Sequence, residues 1–222
     1  MSEIWNFLFY RPILNSLVFL YKTLGSNFGL AIVTLTFAIR AALIPLILPA
    51  LRSARTLRDI QPEIDGLKKK HKDKKKLQEE QLKLYKKHGV NPAAGCLPYF
   101  LQFLVLIALY RVFMHFIQTG MIDDTQVKMN FLWLNLAQPD PYYVLPILAG
   151  LVQLVLALKM TPKQVKKSEK DSEDMAVVMQ KQMIFMMPLM TVLIGLKLPS
   201  GLALYWLTTT FFSIFQQHFL AK

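Results

Sequence analysis

One cysteine in 222 residues leaves no disulfide framework within the chain and no Cys-based zinc cluster. Charge is scarce too, at 18% of residues against the roughly 25% of an ordinary soluble domain. The four histidines (71, 88, 115 and 218) lack metal-ligand spacing, and neither a carboxylate pair nor a nucleophile beside a base can be assembled. No enzyme chemistry, cofactor or metal is expected. What is abundant points elsewhere: 54% of residues are hydrophobic, with 15 Phe and 11 Met, yet the net charge is +12. That excludes a disordered basic tail and argues against an ordinary DNA-binding domain. The apolar residues must face something other than water, so the charges must be segregated from them along the chain.

Five apolar runs supply the segregation, at 29–51, 96–118, 142–158, 183–198 and 202–220. The first holds 23 residues with one charge, and at about 1.5 Å per residue it crosses a hydrocarbon core. The last two are separated only by Pro199, Ser200 and Gly201, turn residues that reverse the chain. The charges fall between the runs. Residues 52–90 carry 13 Lys and Arg against 6 acids, and residues 159–182 carry 6 against 4, whereas 119–141 holds Lys128 against Asp123, Asp124 and Asp140. Under the positive-inside rule the two basic loops are cytoplasmic, the amino terminus is outside and Lys222 is inside.

The expected fold is therefore all-α and integral to a membrane. It comprises an outer interfacial amphipathic helix within 1–27, spans at 28–51, 91–118, 142–160, 183–198 and 201–220, a basic cytoplasmic hairpin at 52–90, an outer loop at 119–141 and a cytoplasmic loop at 161–182. Arg11 and Pro12 interrupt the apolar stretch 4–24, so the first helix is expected to start near Pro12, anchored by Trp5, Tyr10 and Tyr21; a sixth span is the alternative. Pro45, Pro49, Pro98, Pro146 and Pro188 predict spans that bend or unwind locally. In the hairpin, Leu57, Ile60, Ile64 and Leu67 recur at helical spacing, as do Leu77, Leu84 and Tyr85, with Asp73 at the tip. Lys68, Lys69, Lys70, Lys72, Lys74, Lys75 and Lys76 crowd that tip. They are either a solvated, topology-setting cluster or a contact for anionic headgroups or ribosomal RNA.

The costliest residue is Arg40, the twelfth of 23 in the first span. An arginine at a helix centre costs about 2.5–3.5 kcal/mol on insertion scales, so it must face protein or a wet cavity. A buried salt bridge needs a carboxylate at the same depth, and none of the five runs contains one. A hydrated pocket in the bilayer is the expected solution. Thr36, one turn from Arg40, Gln102, Gln153 and the series Trp206, Thr210, Ser213, Gln217 at offsets 0, 4, 7 and 11 are the candidates to line it. Each also has a duller explanation, as a hydroxyl bonded to its own helix or an amide joining two helices.

Asn91-Pro92 with Gly95-Cys96-Leu97-Pro98 and Gln102, Thr36 with Arg40 and Pro45-Leu46, Gln61-Pro62-Glu63, and Met187-Pro188 followed by Pro199 through Trp206 together resemble the YidC/Oxa/Alb membrane protein insertases, in their short bacterial form. The resemblance spans Pro12 to Gln217 and implies a five-helix core in the bacterial cytoplasmic membrane. It also implies a hydrophilic groove, open to cytoplasm and lipid and closed outside, with Thr36, Arg40, Trp206 and Gln153 at groove positions. Thr210 stands where members often have Asn. The implied partners are nascent membrane proteins, the lipid bilayer and the ribosome, with a Sec-type translocon left open and no DNA. A small transporter or channel using the same cavity is the alternative, although no inverted repeat is visible; a ribosome anchor is a third.

Overall fold

A long apolar run without turn chemistry has one way to satisfy its backbone away from water, which is to coil into a helix. The computed structural model describes residues 3–70, 73–90, 97–122, 125–160 and 175–219, and these are mostly helical. Helix α1 (Glu3–Trp5), a π-helical turn (Asn6–Tyr10) and α2 (Arg11–Thr23) follow one another without a break. Then come α3 (Phe28–Asp59), α4 (Gln61–Lys70), α5 (Lys74–Lys87), α6 (Leu97–Thr119), α7 (Val144–Met160), α8 (Met175–Gly195) and α9 (Ser200–Phe219).

Several boundaries differ from the expected ones, each for a local reason. The first helix does not wait for Pro12. The Arg11 N–H reaches back five residues to the Asn6 carbonyl, and this wider π register leads directly into the proline-containing first turn of α2. Tyr21 is not an exposed anchor: with Ile13 and Leu17 it forms the buried stripe of α2, and its hydroxyl accepts the Lys128 N–H at 3.0 Å. Helix α3 runs past 51 to Asp59, because nothing breaks it until Pro62, which has no N–H to give the Arg58 carbonyl. It is also unbroken at Pro45 and Pro49, as α8 is at Pro188. Pro98 and Pro146 fall in the first turns of α6 and α7, where a missing N–H costs nothing.

The loop between α6 and α7 departs from a purely helical expectation. It folds into two antiparallel hairpins, β1 (Met121–Ile122) with β2 (Thr125–Gln126) and β3 (Asn130–Phe131) with β4 (Leu134–Asn135). The carbonyls of Gln138 and Leu136 accept the Ser200 and Gly201 N–H groups at 2.7 and 3.1 Å, satisfying donors that the first turn of α9 leaves free. Asp140, only 2% exposed, accepts the Tyr142 and Leu145 N–H groups at 3.1 and 2.7 Å and so caps α7.

The core is concentrated at this loop end. Tyr21, Phe28, Phe113 and Phe116 interlock edge to face or tilted, with centroids 5.4–6.0 Å apart, among Leu17, Leu109, Leu136 and Leu202. Helix α9 packs against α3 and α7, and α7 against α8, where Gly150 lets the helices close on Val192 and the Pro188 carbonyl. At the other end Ile60, Ile64 and Val90 form a small separate core under α4 and α5. Asp73 caps α5 by accepting the Lys75 N–H, and Arg58 donates to the Lys159 carbonyl near the end of α7 at 3.0 Å.

Helices α3 and α6 are long and apolar enough to cross a membrane, and α7 and the second half of α8 are shorter apolar helices. Phe100, Phe103, Leu151, Phe185 and Leu189 are more than half exposed, an apolar girdle that water does not tolerate. Trp133, Tyr142 and Tyr143 are exposed beside the loop, like an interfacial aromatic belt.

Two substitutions test the loop end. A Cβ at residue 201 would fall on the buried Phe113 ring, so Gly201→Ala should cost about 1–3 kcal/mol. Asp140→Ala removes a cap and should cost about 1–2 kcal/mol. Both losses are read as a lowered unfolding midpoint in detergent, and wild-type midpoints would contradict this account of the packing.

Candidate functional site

A guanidinium has five N–H donors and no acceptor, so it can only be satisfied by oxygen or a ring face. Arg40, half-buried on α3, finds oxygen on two other helices. Its Nε donates to Thr209 Oγ1 on α9 at 2.8 Å, and its Nη2 donates to Gln102 Oε1 on α6. Gln102 Nε2 in turn donates to the Tyr205 hydroxyl at 2.5 Å, and the Thr209 hydroxyl lies 3.5 Å from Gln102 Oε1. The four side chains tie α3, α6 and α9 into one polar cluster. Both acceptors of Arg40 are neutral, and among the described residues it forms no ion pair. The sequence suggested a hydrated pocket around it; in the structure a hydroxyl and an amide accept from its Nε and Nη2.

The other predicted lining residues are distributed differently. Thr36 is buried and donates to the Ile32 carbonyl at 2.7 Å, Thr210 to that of Trp206 at 2.8 Å, and Ser213 to that of Thr209 at 2.9 Å. These hydroxyls are spent on their own helices, the duller of the two explanations. Trp206, Gln217 and, on α7, Gln153 are half-buried, and among the described residues no hydrogen bond joins them to Arg40. The face of α9 that meets Arg40 therefore lies one residue back from the predicted stripe, a rotation of about 100°. Gln216, seven residues after Thr209, lies on that face and is buried with no partner for its Nε2.

Tyr205 and Thr209 had little signal in the sequence. A tyrosine in an apolar run counts as an aromatic, and Thr209 is flanked by Thr208 and Thr210, so spacing alone does not choose among the three. Geometry does: Thr208 and Thr210 donate to carbonyls one turn back, which leaves Thr209 for the neighbouring helices.

Elsewhere, Lys68–Lys70 end α4 and Lys74–Lys76 open α5, with Lys70, Lys75 and Lys76 exposed. Lys72, Asn91 through Cys96 of the proline motif, loop residues 161–174 and Lys222 lie outside the described residues. On α5, Lys83 donates to Glu80 at 2.7 Å, and this bond raises its pKa above the ordinary lysine value. A cavity of about 770 Å³ at the loop end, lined by Gly25, Phe116, Gly120 and Gln126 to Asn130, does not reach the Arg40 cluster. Among the described residues, His, Cys, Asp and Glu do not gather in threes that could hold a metal ion.

The cluster makes a direct prediction. Thr209→Val keeps the shape but removes the acceptor of Arg40 Nε, and should lower stability by about 1–2 kcal/mol. Thr210→Val, which breaks only a bond to its own helix, should change the unfolding midpoint far less. Equal effects would contradict the cluster.

Comparison with known proteins gives a consistent result. The family model described as 60 kDa inner membrane protein matches residues 19–222. The membrane protein insertase YidC of Alkalihalophilus pseudofirmus is 38% identical over 97% of this chain and 81% of its own length. The membrane protein insertase YidC of Fusobacterium nucleatum is 36% identical over 100% of this chain and 98% of its own. A crystal structure of an active YidC insertase with its first transmembrane domain resolved is 28% identical, with a TM-score of 0.66 over 98% of this chain. The chain spans 47% of that longer protein. A helical chain with an apolar girdle and a half-buried cationic cluster, matched along nearly its whole length by these relatives, belongs to the YidC family of bacterial inner membrane proteins.

Proposed function

We propose that this protein inserts nascent membrane proteins into the bacterial inner membrane and helps them fold, using the Arg40 face as a positively charged groove open to cytoplasm and lipid. A client with a short polar tail faces a barrier set by moving that tail through hydrocarbon. A polar, cationic path that crosses part of the bilayer shortens the dry distance and attracts an acidic tail, while the client's apolar segment partitions into lipid. The observation that carries the proposal is the charge of Arg40, held by neutral side chains and hence unneutralised. The unpartnered amide of Gln216 on the same face extends the polar path, and the aromatic core at the loop end closes the other side. The insertase names of the relatives favour this activity over a transporter or channel.

In this proposal α3, α6, α7, α8 and α9 are the five spans, and the π-helical turn and α2 pack beside them with Phe7 and Leu8 of the turn and Phe19 of α2 turned to the outer interface. The amino terminus is outside, the carboxyl terminus is cytoplasmic, and the lysines of α4 and α5 face anionic headgroups or the ribosome.

Two experiments test it. In reconstituted vesicles, Arg40→Ala should slow protease protection of acidic-tailed single-span clients by about tenfold; wild-type rates from a stably folded variant would remove the groove. In a chain with Cys96 replaced by serine, Trp133→Cys should react with an impermeant thiol reagent outside intact cells and Lys75→Cys should not. The reverse pattern would invert the topology.

A further inference from the structure

Arg40 is satisfied in a way that leaves its charge intact. The oxygens it meets belong to an amide and a hydroxyl, which answer the hydrogen bonds without neutralising the cation. A glutamate occupies nearly the same volume as a glutamine. At residue 102 it would place a carboxylate in contact with Nη2 and convert the site into an ion pair. The difference matters at a distance, because the potential of a lone charge falls as 1/r whereas that of a close pair falls as 1/r². A client tail a few residues away would meet a strong field in the first case and a weak one in the second.

The amide is anchored from its other side. Gln102 Nε2 donates to the hydroxyl of Tyr205, a residue only 2% exposed. Arg40 only donates and so takes Oε1, and the Tyr205 hydroxyl, by accepting from the NH2 group that remains, anchors the amide in place. A flipped amide would turn N–H donors toward a guanidinium that has nothing to accept them.

We propose that Gln102 is a specificity-determining residue and Tyr205 its positioning partner: together they hold Arg40 with neutral groups, so that its charge stays available to select client tails that carry carboxylates. The inference rests on the insertase function proposed above and adds which neighbours of the arginine set its selectivity.

The test uses the full-length protein in vesicles and two versions of one single-span client, its short tail bearing either aspartates or matched asparagines. The readout is the ratio of protease-protected acidic to protected neutral tails, together with its dependence on salt. Gln102→Glu should lower the ratio by about tenfold and flatten its salt dependence. Tyr205→Phe, which deletes one oxygen, should move the ratio in the same direction by about threefold. A merely structural role would reduce both tails in proportion, and that result, or a wild-type ratio in Gln102→Glu, would overturn the proposal. If thermal unfolding shows that Gln102→Glu is not folded, Tyr205→Phe decides, and a wild-type ratio there overturns it equally. A wild-type protein that protects neither tail removes the insertase function itself, an outcome distinct from a protein that inserts both tails without preference.

Discussion

A guanidinium inside an apolar helix constrains everything around it. Arg40 cannot lose its charge and has no carboxylate at its depth, so it takes oxygen from two neighbouring helices. That requirement sets which faces of α6 and α9 turn toward α3. The amide of Gln102 can serve Arg40 and Tyr205 at once because it carries an acceptor and a donor on one planar group. The cluster therefore joins three helices with four side chains and adds no opposite charge.

The two ends of the molecule solve different problems. At the loop end, aromatic rings fill the space between α2, α3 and α6, and the loop carbonyls cap α9, so apolar packing and backbone hydrogen bonds reinforce each other. Toward the hairpin end the shared core gives way to polar groups such as Arg40 and Gln216 and then to a small separate cluster around Ile60, Ile64 and Val90. A sealed end and a polar middle are what the proposed one-sided groove requires.

The residues legible in the sequence were those that are rare for their surroundings. An arginine or a glutamine in a long apolar run costs free energy wherever it points, so Arg40 and Gln102 stood out before any fold was known. Residues common in their surroundings gave no such signal. Tyr205 and Tyr21 look like membrane aromatics, yet one holds an amide deep in the bundle and the other sits in the core. The face of α9 that meets Arg40 lies one residue back from the predicted stripe, because three consecutive threonines offer three equivalent faces and only the neighbouring helices distinguish them.

Composition and order along the chain were enough to determine that the apolar runs are separated by connections of which two are basic, that one cation is stranded in the first run, and that no carboxylate within the runs can pair with it. These follow from residue type alone, since burial cost and helix formation are local properties. The tertiary structure decided which hydroxyls serve their own helix and which reach across, where α3 ends, and that the loop after α6 folds back to cap α9. Those outcomes depend on the rotation and approach of helices far apart in sequence, and only packing sets such quantities.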